Sequence, residues 1–388
     1  MRIETFAMER MQSTWENRVD VNLSESGVRP LRLEELLELR QRPDTSPDTT
    51  SEELQRLLKQ ELAYTQSNGT PELRRAIAQL YPGATEDHIE VTNGGSEANY
   101  IAIWHLVEPG DEVVMMTPNY MQAWGLARGF GGVVKPWPLL ERDTPSGRRW
   151  RPDLDELAAL VTPRTKLILI CNPNNPTGAR LERADLDGIA VIADRHGAWI
   201  LADEIYRGAE PDGRETPTIW GRSERVIVTS GLSKAYGLPG LRIGWIVAPP
   251  SLTASLWSYH DYTTIAPGAL SDLLARVALD PARRPSIIER TRRIIRRNFP
   301  IVRDWLAAHG DAFHYVAPEA GAIVYAGYRH GINSTELVTR LRDTHSVLIV
   351  PGDHFNMDGY LRIGFGSEAP QVVEGLRRLH MLLETAPV

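Results

Sequence analysis

Six short apolar runs between residues 88 and 247 constrain what this chain can fold into more than any other feature. They are His88–Val91, Glu112–Met116, Lys166–Ile170, Trp199–Ala202, Arg225–Val228 and Ile243–Val247. Their near-continuous hydrophobicity reads as strands buried on both faces, the condition of a parallel sheet lying between helices. Helical periodicity fills several of the intervals, at Gly95–Leu106, Leu154–Val161 and Ala184–His196. Strands alternating with helices predict an α/β domain with a mostly parallel sheet and helices on both faces.

Beyond Leu252 the pattern turns helical, with a long charged helix around Ile287–His309. An α+β segment follows, with strands at Phe313–Val316, Ala322–Ala326, Val347–Val350 and Tyr360–Gly364 and helices at Ser334–Thr344 and Ala369–Thr385. Residues 1–35 read as irregular except for an extended piece at Asp20–Leu23; a helical pattern begins near Leu31, and Pro71–Tyr81 is amphipathic. At 388 residues the chain exceeds one ordinary core. The expected division is a large domain over 36–284 and a smaller α+β domain made of 1–35 with 285–388.

Composition narrows the function by exclusion. A net charge of −7 argues against nucleic acid as a general partner, and the basic stretch Arg283–Arg297 is broken by Ile and Glu at the spacing of a solvated helix face. Cys171 stands alone, so no internal disulfide forms. The N-terminus has no apolar signal-peptide core and no stretch of about 18 apolar residues occurs, which leads to the expectation of a cytoplasmic protein without a membrane partner. Four lysines, at 59, 135, 166 and 234, leave few candidates for amine chemistry.

In open α/β sheets ligands gather at the carboxyl ends of strands. Four such ends carry polar clusters here: Thr92-Asn93-Gly94-Gly95-Ser96-Glu97-Ala98, Asn172-Pro173-Asn174-Asn175-Pro176-Thr177-Gly178, Asp203-Glu204-Ile205-Tyr206, and Thr229-Ser230-Gly231-Leu232-Ser233-Lys234-Ala235-Tyr236 with Arg242 beyond it. Taken singly, each has an ordinary use as a helix cap or tight turn. Taken in order, NPNNPTG, DEIY and SKAYG with an arginine eight residues past the lysine resemble the class I/II aminotransferases, enzymes of the pyridoxal phosphate (PLP)-dependent fold type I. The resemblance runs from about Asn22 to the C-terminus. A lone glycine-rich helix start without GxGxxG spacing speaks against a nicotinamide enzyme, and too few residues precede Tyr64 for an added DNA-binding domain.

What the resemblance implies is specific. Lys234 is the residue that forms an imine with the cofactor aldehyde and then serves as general acid and base. Asp203 faces the pyridine nitrogen and keeps it protonated; at 3–4 Å and an effective dielectric of about 20 such a pair supplies on the order of 4 kcal/mol. Tyr206 and Asn175 hydrogen-bond the ring oxygen, and Tyr120 stacks on the ring. Gly95, Ser96 and Glu97, at a helix N-terminus, hold the phosphate with Ser233 and Arg242. Gly231 departs from the serine many members have three residues before the lysine; Ser230 is the neighbour that offers a hydroxyl instead. Arg362, in the family's C-terminal pattern PGxxF…RIxF, grips the substrate α-carboxylate together with Asn175 and Gly27. Tyr64 matches a tyrosine that reaches the neighbouring subunit's phosphate, which implies a homodimer with shared sites. No metal is expected.

The reaction is less constrained. The implied activity is amino transfer on an α-amino acid through an α-carbanion. The N-terminal Asn22-Leu23-Ser24-Glu25-Ser26-Gly27-Val28 lacks the usual Gly-x-Pro and is similar to the matching stretch of the arginine-cyclising capreomycidine synthases. Glu25 reads either as a solvated loop carboxylate or as the partner of a cationic substrate side chain. A cyclase, lyase or oxidase of the same fold therefore stands as the alternative.

Overall fold

The computed structural model describes residues 3–39, 48–145 and 147–385. Seven strands form the central sheet, in the order Ile89–Thr92, Gly244–Val247, Val226–Gly231, Trp199–Asp203, Thr165–Cys171, Glu112–Thr117 and Val133–Pro138. All run parallel except Gly244–Val247, which is antiparallel to both neighbours. The six apolar runs are the first six of these strands. Val133–Pro138 at the edge, and the hairpin of Leu140–Thr144 with Gly147–Arg151, are strands the sequence reading missed. Each carries Pro, Arg or Asp in place of a continuous apolar run.

Side chains that alternate along a strand enter opposite layers. Val113, Met115, Leu167, Leu169, Leu201, Ile227 and Ile246 pack under the helices Gly95–Leu106, Gln122–Gly129 and Pro250–His260. Val114, Met116, Ile168, Ile170, Ile200, Val226, Val228 and Trp245 face the other layer, where Leu186, Ile189 and Ala193 of the helix Arg183–His196 cover them. Apolar layers on both faces explain why these strands carry no polar alternation, and the result is the mixed, mostly parallel α/β architecture of fold type I.

A second sheet, ordered Phe313–Tyr315, Ile323–Tyr328, Tyr360–Gly364 and Val350–Pro351, is antiparallel. The N-terminal segment returns to this region: Val21–Asn22 pairs in parallel with Val347–Leu348, and Gly364 N donates to Leu23 O at 2.7 Å. The long helix Arg284–Ala308 buries Ile287, Ile288, Ile294 and Ile295. Arg293, Arg296 and Arg297 are exposed as the spacing predicted, whereas Arg283 and Arg290 of the same stretch are buried, donating to Glu53 and to the Arg29 carbonyl. Residues 7–15 correct the expectation of an irregular N-terminus, because Ala7–Trp15 is an α-helix. Gln12 docks it by donating to Ser24 O at 2.9 Å and Ser24 Oγ at 3.1 Å. Among the described residues no helix is long and apolar enough to cross a membrane.

One close approach fixes the end of the sheet where the helix Gly95–Leu106 begins. A Cβ on Gly244 would run into the backbone of Gly94 and Gly95, and one on Gly231 would lie 2.8 Å from Ile243 O. The start of the helix Gly95–Leu106 therefore rests directly on the strand backbone. Gly244→Ala is expected to cost about 1–3 kcal/mol through overpacking. Urea unfolding checks it: the midpoint falls at unchanged m-value, and an unaltered midpoint contradicts the packing described.

Candidate active site

The carboxyl ends of five parallel strands open onto one cavity of about 330 Å³. From the described residues it is lined by Lys234, Asp203, Tyr206, Asn175, Tyr120, Gly95, Ser96, Ser233, Arg242, Arg362 and Glu25, so most of the residues singled out from sequence meet in one place. Gly27 stands beside them, where a Cβ would touch Lys234 Cδ at 3.5 Å.

Asp203 closes its strand at the cavity floor. Asn99 Nδ2 donates to Asp203 Oδ2 at 3.0 Å, and the Ile205 N–H donates to the other oxygen at 3.0 Å. Asn99 is itself held by Thr229 Oγ1, which donates to its Oδ1 at 2.6 Å. Burial raises the Asp203 carboxyl above its ordinary pKa, against the Asn99 and Ile205 hydrogen bonds. The carboxylate thus has amide partners but no close ion pair among the described residues. Such a group favours a cation in the cavity.

Lys234 Nζ lies 3.4 Å from Glu25 Oε2. Burial pulls its pKa down, but Glu25 and Tyr206 outweigh burial and raise it. Glu25 is correspondingly held low, first by Lys234. Burial raises Tyr206, and the charges of Lys234 and Arg362 work the other way.

Arg362 is 1 % exposed. Its Nη1 donates to Asn175 Oδ1 at 2.9 Å and its Nη2 to Ser24 O at 2.5 Å, while its Nε has no partner among the described residues. Burial depresses its pKa. A guanidinium held this way has an unmet donor and no close ion pair among the described residues, and a carboxylate would supply both partners.

At the other end of the cavity are Gly95 and Ser96, at the N-terminus of a 12-residue helix, with Ser233 and Arg242. Arg242 sits against Gly94 so closely that a Cβ there would meet the guanidinium. An anion suits this corner because unpaired helix N–H groups, hydroxyls and a guanidinium converge on it. Glu97 departs from expectation: it does not line the cavity, its N–H already bonds Gly94 O at 3.2 Å, and its carboxylate turns away towards His260. Ser230 does not replace the missing serine hydroxyl, since its Oγ donates to Glu204 O at 3.2 Å. Tyr64 lies outside the cavity and is 87 % exposed, in a surface recess with Ala266, Pro267 and Leu270.

Sequence reasoning missed the helix Ala7–Trp15 and its extension, which put Met8, Glu9, Gln12, Ser13 and Glu16 on the cavity wall. Tyr120 OH donates to Glu9 Oε1 at 2.8 Å. Burial, then the charges of Glu25 and Glu9, raise Glu16. Asn99 was also missed, although a buried Asn in the otherwise apolar helix sequence GSEANYIAIWHL was a readable signal.

Capreomycidine synthase of Streptomyces vinaceus is 34% identical over 319 residues, 82% of this chain and 80% of that one. The crystal structure of a PLP-dependent aminotransferase from Streptococcus suis superposes with a TM-score of 0.90 at 33% identity, covering 100% of both chains. The structure of a PLP-dependent cyclase, OrfR, superposes at 0.86 with 27% identity, covering 100% of this chain and 99% of that one. Residues 34–379 match the family described as aminotransferase class I and II, and the chain belongs to that family of PLP-dependent enzymes.

Proposed function

We propose that the chain catalyses amino transfer on an α-amino acid whose side chain carries a positive charge, with PLP held by Lys234. The observation that carries this reading is the placement of Lys234 in one cavity with Asp203, Arg362 and Glu25. The residues fit the cofactor: Asp203 lacks a cation, which a protonated pyridine nitrogen would supply, and Gly95, Ser96, Ser233 and Arg242 offer donors to a phosphate. Bound there, PLP supplies an electron sink for negative charge at the substrate α-carbon.

The chain's own groups do the rest. Lys234 is the amine that holds the cofactor and, once released, the base that takes and returns the α-proton. Asn175 gives its amide oxygen to Arg362, which leaves its NH2 to join the Tyr206 hydroxyl at the cofactor's ring oxygen. Arg362 binds the α-carboxylate through its unfilled Nε and the rest of its planar fork. Glu9, Glu16 and Glu25 gather on the same cavity wall, and their mutual repulsion shows in Glu16, raised by burial and then by the other two. A guanidinium or ammonium at the end of the substrate would relieve that repulsion.

A second reading keeps the site and changes the outcome: elimination and ring closure, or oxidation, on the same cationic substrate. Its support is the glutamate wall together with similarity to a capreomycidine synthase and a PLP-dependent cyclase. For the assembly, we propose a homodimer in which Tyr64 reaches the partner's phosphate. Exposed Leu62, Tyr262 and Leu270 support it. The strand pairing of Val21–Asn22 supports a small domain of 1–35 with 285–388 beside a large domain of 36–284.

Incubation with a 2-oxo acid and single amino donors tests the substrate class. L-Arginine and L-ornithine are expected to exceed L-aspartate and L-glutamate in kcat/KM by roughly 100-fold, and Glu16→Gln to narrow that preference about tenfold. A preference for acidic donors contradicts the reading; release of ammonia or a cyclic product without a new amino acid favours the second reading. Arg362→Lys loses the fork and should lower kcat/KM roughly 100-fold, mainly through KM. Steady-state kinetics with an unchanged KM would remove Arg362 from carboxylate binding.

A further inference from the structure

A buried charge cluster lies directly behind the corner assigned to the cofactor phosphate, and the chemistry above makes no use of it. His260, 0 % exposed, ends the helix Pro250–His260. Its Nδ1 is 2.8 Å from Glu90 Oε1 on the strand Ile89–Thr92, and its Nε2 is 3.4 Å from Glu97 Oε2 and 3.1 Å from Thr264 Oγ1. Thr264 Oγ1 donates to Glu97 Oε1 at 2.7 Å and accepts from Asn93 Nδ2 at 2.6 Å. Glu97 Oε2 in turn accepts from the Asn93 backbone N–H at 2.5 Å. The residues this network clamps, Asn93 and Glu97, flank Gly94, Gly95 and Ser96, and Asn93 O faces Arg242 Nη2 at 3.5 Å.

Two further observations set this apart from ordinary capping. The turn after His260 is held closed by Ile265 N on His260 O and Ala266 N on Thr264 O, and it puts Ile265 at φ +71°. β-Branched residues avoid that conformation, so the turn is fixed by what it holds rather than by local preference. The charges are also unequal. Burial alone would lower His260, yet its bonds to Glu90 and Glu97 raise it to about 9. Burial likewise works upward on Glu97, but His260, Thr263, Asn93 and Thr264 hold it at about 2. Burial pushes Glu90 up to about 7, against His260 and the more distant Arg74. The cluster is therefore an imidazolium bound to one firmly ionised carboxylate and one that burial carries towards neutrality.

We propose that His260 is a positioning residue for phosphate binding: its cation, through Glu97, Thr264 and Asn93, fixes the Gly94–Ser96 turn in the shape that receives a phosphate group. The inference rests on the assignment of that corner to the cofactor phosphate. His260 touches no reacting atom and acts only through the loop it braces. Because its folded pKa is raised, the bracing is complete at neutral pH and is lost as pH rises through about 9. Lys234, raised above its ordinary value by Glu25 and Tyr206 against burial, keeps its charge across that window.

The test uses the full chain freed of cofactor, with three probes: inorganic phosphate, PLP, and pyridoxal, which lacks the phosphate. His260→Gln is expected to weaken inorganic phosphate and PLP about tenfold in titration calorimetry while leaving pyridoxal within a factor of about two. Wild-type phosphate affinity should fall between pH 8 and 10, and that of the variant should stay level. Thr264→Val, a milder change at the same hub, should weaken phosphate about threefold and serves if the first variant does not fold. Equal phosphate binding by wild type and variants, or equal weakening of PLP and pyridoxal, overturns the inference and leaves the cofactor assignment standing. A wild-type chain that binds PLP no better than pyridoxal would instead remove the phosphate corner itself.

Discussion

The site is organised around a carboxylate that the fold sets at the cavity floor with no close ion pair among the described residues. Asp203 ends the central strand of the sheet, and its oxygens meet only the Asn99 amide and a backbone N–H among the described residues. Holding a charge there is costly unless something positive enters the cavity. The sheet on either side supplies the rest of the frame: Thr229 on the next strand fixes Asn99, and the strand before it leads into Asn175. The cavity thus presents a fixed acceptor group before any ligand arrives.

Two other charges are arranged with the same economy. Arg362 is buried, drawn from a different sheet, and tied to Asn175 and to the Ser24 carbonyl of the N-terminal segment. Asn175 therefore ties Arg362 to the central sheet and Ser24 ties it to the N-terminal segment, whose helix Ala7–Trp15 and the residue after it bring Glu9 and Glu16 to the wall that already holds Glu25. At the far end, close packing of Gly94, Gly231 and Gly244 sets the height of the helix start, and Arg242 fills the space that a side chain at Gly94 would take. With glycine at 231, the hydroxyls that line this end of the cavity among the described residues are those of Ser96 and Ser233.

Most of the α/β frame was legible because two-sided burial leaves unbroken apolar runs, and the polar clusters after those runs mark the ligand edge. The edge strand Val133–Pro138 escaped because a strand with one open side can carry Pro and Lys. Lys234, Asp203, Tyr206, Asn175 and Arg362 were legible as motifs, and the fold brings all five to one cavity. Glu9, Gln12 and Glu16 were not: Met8, Met11 and Trp15 recur at helical spacing in a short segment, but the docking of Gln12 against Ser24 that brings it to the cavity is a contact no periodicity reveals. Glu97 was placed by motif at the phosphate through its backbone N–H; what the motif did not show is that its carboxylate meets His260, a residue 163 positions away. Contacts of that range leave no local pattern to read.

The direct test of the central claim is to reduce the PLP-loaded chain with borohydride, digest it, and locate the cofactor by peptide mass spectrometry. The account predicts the pyridoxyl label on the peptide bearing Lys234, with no yellow chromophore to reduce when that lysine is alanine. Label on Lys59, Lys135 or Lys166, or a chromophore that survives in the alanine variant, would contradict it.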